Sequence, residues 1–215
     1  MTRPFIRNHQ LNVIKKEGRN IQHCFQDIQD SNVVQAVKGK SADRILQAFP
    51  PLTRKEKSII QAVSDVKTSI EIEAFIGSVY SYIKSFPPVT RERLKELFSH
   101  ERRLRIPEFS LSELERRSYL GWNDPGKQKK YIVYAFGDEL VGVSGHYSKR
   151  AQRDYCCFCQ ELAPVSLVTF QTNDVSDSNP DYYRSIGQYI CVDSEVCNQN
   201  ITDVHALETF IRRVQ

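Results

Sequence analysis

Five of the six cysteines in this 215-residue chain stand at Cys156, Cys157, Cys159, Cys191 and Cys197, and their spacing limits what the second half can fold into. Cys156 and Cys159 have the separation with which a tight knuckle aims two sulfurs at one ion, and Cys191 and Cys197 supply a second pair some way on. Four thiolates suit tetrahedral zinc. The second pair is wider than the usual two-residue gap, and Cys157 is a rival first ligand through Cys157-Phe158-Cys159. The wider step from Cys156 fits a knuckle better, so Cys156 is preferred. The N-terminus MTRPFIRNHQ has charge but no apolar secretion signal, and disulfides do not persist in a reducing cytoplasm, so metal binding outranks disulfide pairing. Four sulfur ligands leave no position for a reactive water, so one structural zinc is expected, worth on the order of 10 kcal/mol of folding free energy. Cys24 lies on a helical stripe and reads as core, and His205 is a weak rival ligand.

Order along the chain, knuckle, strand pair, cysteine at a strand end, cysteine in a helical turn, terminal helix, is that of a treble-clef zinc finger. The fold class read from the residues is α+β: an N-terminal bundle of about four helices, residues 1–105, and a C-terminal α/β zinc-finger domain, residues 106–215. Charge and glycine both change near that point. Up to Arg105 there are nineteen basic and eleven acidic residues, a net +8; from Ile106 onward eleven against fifteen leave −4. Six of nine glycines follow residue 120.

In the first half, Ile6, Gln10, Val13, Ile14, Ile21, Cys24, Phe25 and Ile28 follow a helical period. Gly39-Lys40-Ser41 is expected to break the next helix, and Pro50-Pro51 to stop it. Thr53 with Glu56 and Thr68 with Glu71 have capping-box spacing, Pro87-Pro88 ends the stripe from Ile72 to Phe86, and Thr90 caps a helix carrying Leu94, Leu97, Phe98 and Leu104. In the second half, Lys130–Phe136 and Leu140–Tyr147 around Gly137-Asp138 read as a hairpin. Val165–Phe170 and Gly187–Val192 are further strands around a polar loop from Thr172 to about Asp181, and Thr202 is expected to cap a last helix.

The strings SYLGWND at Ser118–Asp124, KKYIVY at Lys129–Tyr134, CCFCQE, and GQYICVDSEVCNQN at Gly187–Asn200 resemble the FusB-type family, the elongation factor G-binding proteins linked to fusidic acid resistance. The first half matches only in character. The resemblance implies a helix bundle followed by a four-cysteine zinc finger with the five-residue second spacing seen here. It also implies binding of elongation factor G and its release from ribosomes on which the drug has locked it, with zinc held by Cys156, Cys159, Cys191 and Cys197. By position the family's contact residues fall on Phe158, Tyr189 and Phe210. Ile186 stands where the family pattern has a lysine, and Arg184 nearby is the candidate to supply that charge.

Trp122 and Tyr119 mix with a turn and read as anchors of the domain rather than contacts. The competing reading is a zinc-finger protein that binds ribosomal RNA directly, with Lys127, Lys129 and Lys130 beside Tyr131 as candidate contacts. A solvated hairpin end is the plainer account of those lysines. His9, His23, His100, His146 and His205 are scattered, with no HExxH pair, nucleophile elbow or glycine-rich phosphate loop, so no enzyme is expected. No apolar run reaches the roughly 20 residues a bilayer requires. The expectation is a cytoplasmic monomer without membrane or small-molecule partner, with elongation factor G as partner and the ribosome as a further candidate.

Overall fold

The computed structural model describes residues 3–110, 114, 116–175 and 183–215. The chain divides into two compact units, Met1–Lys84 and Ser85–Gln215. Among the described residues no helix is long and apolar enough to cross a membrane.

The first unit holds four helices, α1 (Asn8–Asp27), α2 (Ser31–Gln47), α3 (Arg54–Gln61) and α4 (Ser69–Val79), with short 3-10 turns at Ala62–Asp65 and Tyr80–Tyr82. Both expected capping boxes form. The Thr53 hydroxyl accepts from the Glu56 N–H while Glu56 accepts from the Thr53 N–H at 2.8 Å, and Thr68 and Glu71 repeat the exchange. Helix α2 runs unbroken through Gly39, contrary to the expected break. A glycine costs a helix about 1 kcal/mol, but α2 is tied to α1 beyond it. The Ser41 hydroxyl donates to buried Glu17 at 2.7 Å, Arg44 pairs with the same carboxylate at 3.3 Å, and Ile45 is buried. Ile6, ahead of α1, is extended and bridges Ile83, which closes a core of Leu11, Ile14, Ile45, Ile60, Val63 and Val79.

The second unit opens with α5 (Arg91–Leu97), capped by Thr90, and continues as a five-stranded antiparallel sheet in the order β1-β2-β3-β4-β5. Its strands are β1 (Leu120–Asp124), β2 (Lys129–Phe136), β3 (Glu139–Tyr155), β4 (Leu162–Val175) and β5 (Tyr183–Cys191); α6 (Ser194–Asn200) and α7 (His205–Val214) follow. Gly137, at φ +65°, and Asp138 make the expected two-residue turn between β2 and β3. The later strands exceed their expected limits, and β4 runs past Thr172; the rest of the expected polar loop falls largely outside the described residues. Thr202 does not cap α7, whose first N–H, that of His205, is answered by the Asp203 carboxylate at 2.9 Å.

Both faces of β2 are covered. Tyr131 and Val133 face a cluster with Phe86, Leu94, Phe98, Leu120 and Trp122, while Ile132 and Tyr134 face the core that holds the cysteines and α7. The first cluster explains why the units meet at Lys84 rather than near Arg105, where composition changes. Leu94 of α5 and Phe98 just after it pack against Trp122 and Tyr131, with ring centroids 5.7 and 5.1 Å from Phe98. Trp122 stacks on Tyr131 and donates to the Arg105 carbonyl at 2.9 Å, and Tyr119 is fully buried, so both are anchors as expected.

Candidate metal centre

Strand β3 ends at Tyr155, and the chain turns at once through Cys156-Cys157-Phe158-Cys159. The turn closes on itself: Cys156 donates to the Glu161 carbonyl at 3.1 Å, and Gln160 donates to the Cys156 carbonyl at 2.9 Å, with Gln160 in the left-handed region at φ +58°. The Cys157 N–H donates to the Tyr189 carbonyl at 2.8 Å and thereby ties the knuckle to β5, whose last residue is Cys191. Asp193 caps α6, accepting from the Glu195 N–H at 2.7 Å, and places Cys197 in its first turn.

These elements bring the sulfurs of Cys156, Cys159, Cys191 and Cys197 within 4.8 Å of one another, all four residues buried. Cys156 and Cys197 are 3.8 Å apart at sulfur, and Cys159 and Cys191 3.7 Å. Zinc–sulfur bonds of about 2.3 Å in a tetrahedron require sulfur–sulfur edges of about 3.8 Å. The donor set therefore fits zinc. Two backbone N–H groups, of Phe158 and Cys191, point at the Cys156 sulfur at 3.4 Å, and hydrogen bonds from Cys159, Cys191 and Cys197 hold its thiol well below the usual range, which favours the thiolate a metal needs. Cys157 is outside the cluster, its thiol pushed up by burial and by the charge on Cys156, and His205 is not part of the set.

Two residues not expected to belong to this centre hold it in place. Asn198, fully buried on α6, accepts from the N–H groups of Ser118 and Tyr119 at 2.7 and 3.2 Å and donates to the carbonyls of Tyr119 and Ser194. It locks the helix that carries Cys197 to the entry of β1. Gly121 permits the approach, since a Cβ there would lie 2.5 Å from the Ser194 hydroxyl. Lys130 is buried, donating to the Asn123 side chain at 3.1 Å and the Val192 carbonyl at 3.2 Å, with its pKa lowered to about 8 by burial against the opposing pull of the cysteine charges. Alternation along β2 puts Lys130 on the side of Ile132 and Tyr134, a signal that was available in the sequence.

The expected partner residues separate by burial. Tyr189 is 39% exposed and pairs across the strands with Leu167, also 39% exposed; Arg184 is exposed at the start of β5. Phe158 and Phe210 are not on the surface. They are 1% and 5% exposed, 5.4 Å apart at ring centroids, and packed with Tyr119 and Phe170. Their apolar rings fill the space between the knuckle and α7. Ile186 is part-buried against the same core, opposite Phe170. The three lysines expected at the hairpin end are engaged within the fold: part-exposed Lys127 and Lys129 both bind the Glu101 carboxylate, and Lys130 is inside.

Residues 5–87 match the family described as "Elongation factor G-binding protein, N-terminal", and residues 92–213 the one described as "FBP C-terminal treble-clef zinc-finger". Among solved structures, that of the fusidic acid resistance protein FusC is similar with a TM-score of 0.81 and 26% identity, over 99% of this chain and 98% of that one. No curated protein sequence matches the chain. The second unit is a treble-clef zinc finger with one structural zinc, and the chain belongs to the FusB-type family of elongation factor G-binding proteins.

Proposed function

We propose that the protein binds elongation factor G through its zinc-carrying unit and promotes release of that factor from ribosomes on which fusidic acid has locked it. The likeness to the fusidic acid resistance protein FusC, extending over 99% of the chain, carries this reading. In this account Cys156, Cys159, Cys191 and Cys197 hold the zinc, and the zinc fixes a surface rather than performing chemistry. Tyr189 is the anchor. Its own carbonyl is held by the knuckle, its ring is exposed beside Leu167, and a residue so fixed loses little further freedom on binding. Arg184 supplies charge on the same strand, while Phe158 and Phe210 support the surface from beneath.

The mechanism is one of binding. A partner that prefers the factor in a conformation unlike its drug-locked one draws the population away from the ribosome, by no more than its differential affinity for the two states. The protein acts in this way as a monomer in the cytoplasm. Sedimentation of ribosomes carrying elongation factor G and fusidic acid tests it: the factor should move to the unbound fraction when the protein is added. Tyr189→Ala should weaken binding of the free factor by about 2 kcal/mol, roughly thirtyfold, with zinc content unchanged. A factor that stays on the ribosome, or normal binding by Tyr189→Ala, would refute the release role or the anchor respectively.

A further inference from the structure

The outer half of β3 is unlike the rest of the sheet. Residues Glu139–His146 pair with β2, but from Ala151 to Tyr155 the strand pairs with β4 alone, so among the described residues its other edge has no strand partner. Between Tyr147 and Ala151 the register shifts: Val168 and Ser166 are their partners, leaving only Leu167 opposite Ser148, Lys149 and Arg150. Such a bulge takes residues out of the ladder and re-aims their side chains.

Every residue from Ser148 to Arg153 is exposed, and three of the six are cations: Lys149, Arg150 and Arg153. None of these three makes an ion pair among the described residues. The carboxylate that follows the run, Asp154, accepts instead from the Gln152 amide at 3.2 Å and from the N–H of Tyr155 at 2.8 Å. Tyr155 is 66% exposed, and its cross-strand partner Leu162 is 47% exposed. All this lies in a half of the chain whose net charge is −4, so the cations concentrate against the local trend. Cations on a strand edge also discourage unwanted strand pairing. That role does not call for an exposed aromatic ring beside them. Protein interfaces, for their part, deplete charge at their centre and gather apolar anchors there, whereas here one ring stands among cations and amides.

We infer that the bulged outer half of β3, Lys149, Arg150, Arg153 and Tyr155, is a docking strip for single-stranded RNA. The three cations meet phosphates, and the Tyr155 ring, backed by Leu162, stacks on a base. The strip spans about 20 Å from Lys149 to Tyr155 at strand rise. It adjoins the Tyr189 surface, since Leu167 lies between the bulge and Tyr189, and it is distinct from the lysines at the β1–β2 turn, which are engaged within the fold.

The test is fluorescence anisotropy of a fluorescein-labelled oligouridylate, about 15 nucleotides long, titrated with the zinc-loaded full chain. Three phosphate contacts on a single strand predict a slope of log K against log salt of about −2, so affinity should fall about twentyfold between 50 and 200 mM salt. The triple variant Lys149→Ala, Arg150→Ala, Arg153→Ala should lose at least tenfold in affinity and flatten the slope. The charge-keeping triple Lys149→Arg, Arg150→Lys, Arg153→Lys should bind as the parent does. Tyr155→Ala should weaken binding severalfold without changing the slope, and zinc content should stay at one equivalent throughout. Absence of RNA binding by the parent at 50 mM salt, or an unaltered affinity in the alanine triple, would overturn the assignment. So would an alanine triple that keeps RNA but loses elongation factor G, which would assign the strip to the protein partner. Because the capture of elongation factor G is measured on the same parent protein without RNA, failure of that reading is seen separately.

Discussion

Lys130 is a buried ammonium whose two hydrogen-bond acceptors, the Asn123 side chain and the Val192 carbonyl, are neutral. Four thiolates around one dication leave the centre with a net charge of about −2, and the cysteine charges act on Lys130 to keep its proton. Burial makes the charged lysine costly, and an anionic centre beside it offsets that cost. Lys130→Met should narrow the difference in Tm between zinc-loaded and metal-free protein, measured by calorimetry, and quicken zinc loss to a chelator. An unchanged difference would show that the charge is not coupled to the metal. The ligands themselves were legible because knuckle spacing is local: Cys156→Ser should empty the site, and Cys157→Ser should leave one zinc by elemental analysis. The burial of Phe158 and Phe210 was not legible, for the opposite reason. Resemblance carries a position across but not its burial, and burial depends on Tyr119 and Phe170, which are distant in sequence. Phe210→Ala should cost about 3–5 kcal/mol of stability through the cavity it leaves, so lost partner binding in that variant reports a damaged scaffold. Ile186→Lys should likewise destabilise rather than improve, because its side chain packs beside Phe170.

Among the elements, α1, α3 and α4 were legible, since stripes and capping boxes are written within a few residues; α2 was misread at Gly39 because Ser41 and Arg44 answer to Glu17 in another helix. The segment after α5 shows the same dependence on remote partners. Glu101 receives Lys127 from the β1–β2 turn and Lys129 from the start of β2, with His100 at 3.9 Å, and fixes that turn. Burial pushes the Glu101 carboxyl up, but the hydrogen bonds and charges of Lys129 and Lys127 outweigh it and hold the pKa below the usual 4.5. A carboxylate held low in the folded state contributes stability above its unfolded pKa and loses it as pH falls through the folded value. Glu101→Gln should therefore be less stable than the parent at pH 7, by about 1–3 kcal/mol for leaving paired donors unmet. The difference should close as denaturation is measured in increasingly acid buffer below the usual carboxylate value. A gap that persists undiminished at the acid end would show that shape, not charge, is what Glu101 contributes.

At the level of the whole molecule, the division at Lys84 rather than Arg105 has a practical outcome. A fragment of residues 85–215 keeps Leu94 and Phe98 over Trp122 and Tyr131 and should fold with one zinc, whereas 106–215 should expose that aromatic cluster and aggregate or bind dye. Composition placed the boundary late because charge and glycine content follow surface and turns, while the boundary follows which side chains pack together. Chelation of the full chain should abolish the sheet of the second unit and leave the helical signal of Met1–Lys84, as circular dichroism can show. Asn198 adds a readout to such experiments. It joins the helix bearing Cys197 to the backbone at Tyr119, and Trp122, three residues further along β1, is the one tryptophan in the chain. Zinc loss that loosens this link should reach the sole indole along β1, and its emission wavelength should then serve as an optical gauge of zinc loading in unlabelled protein.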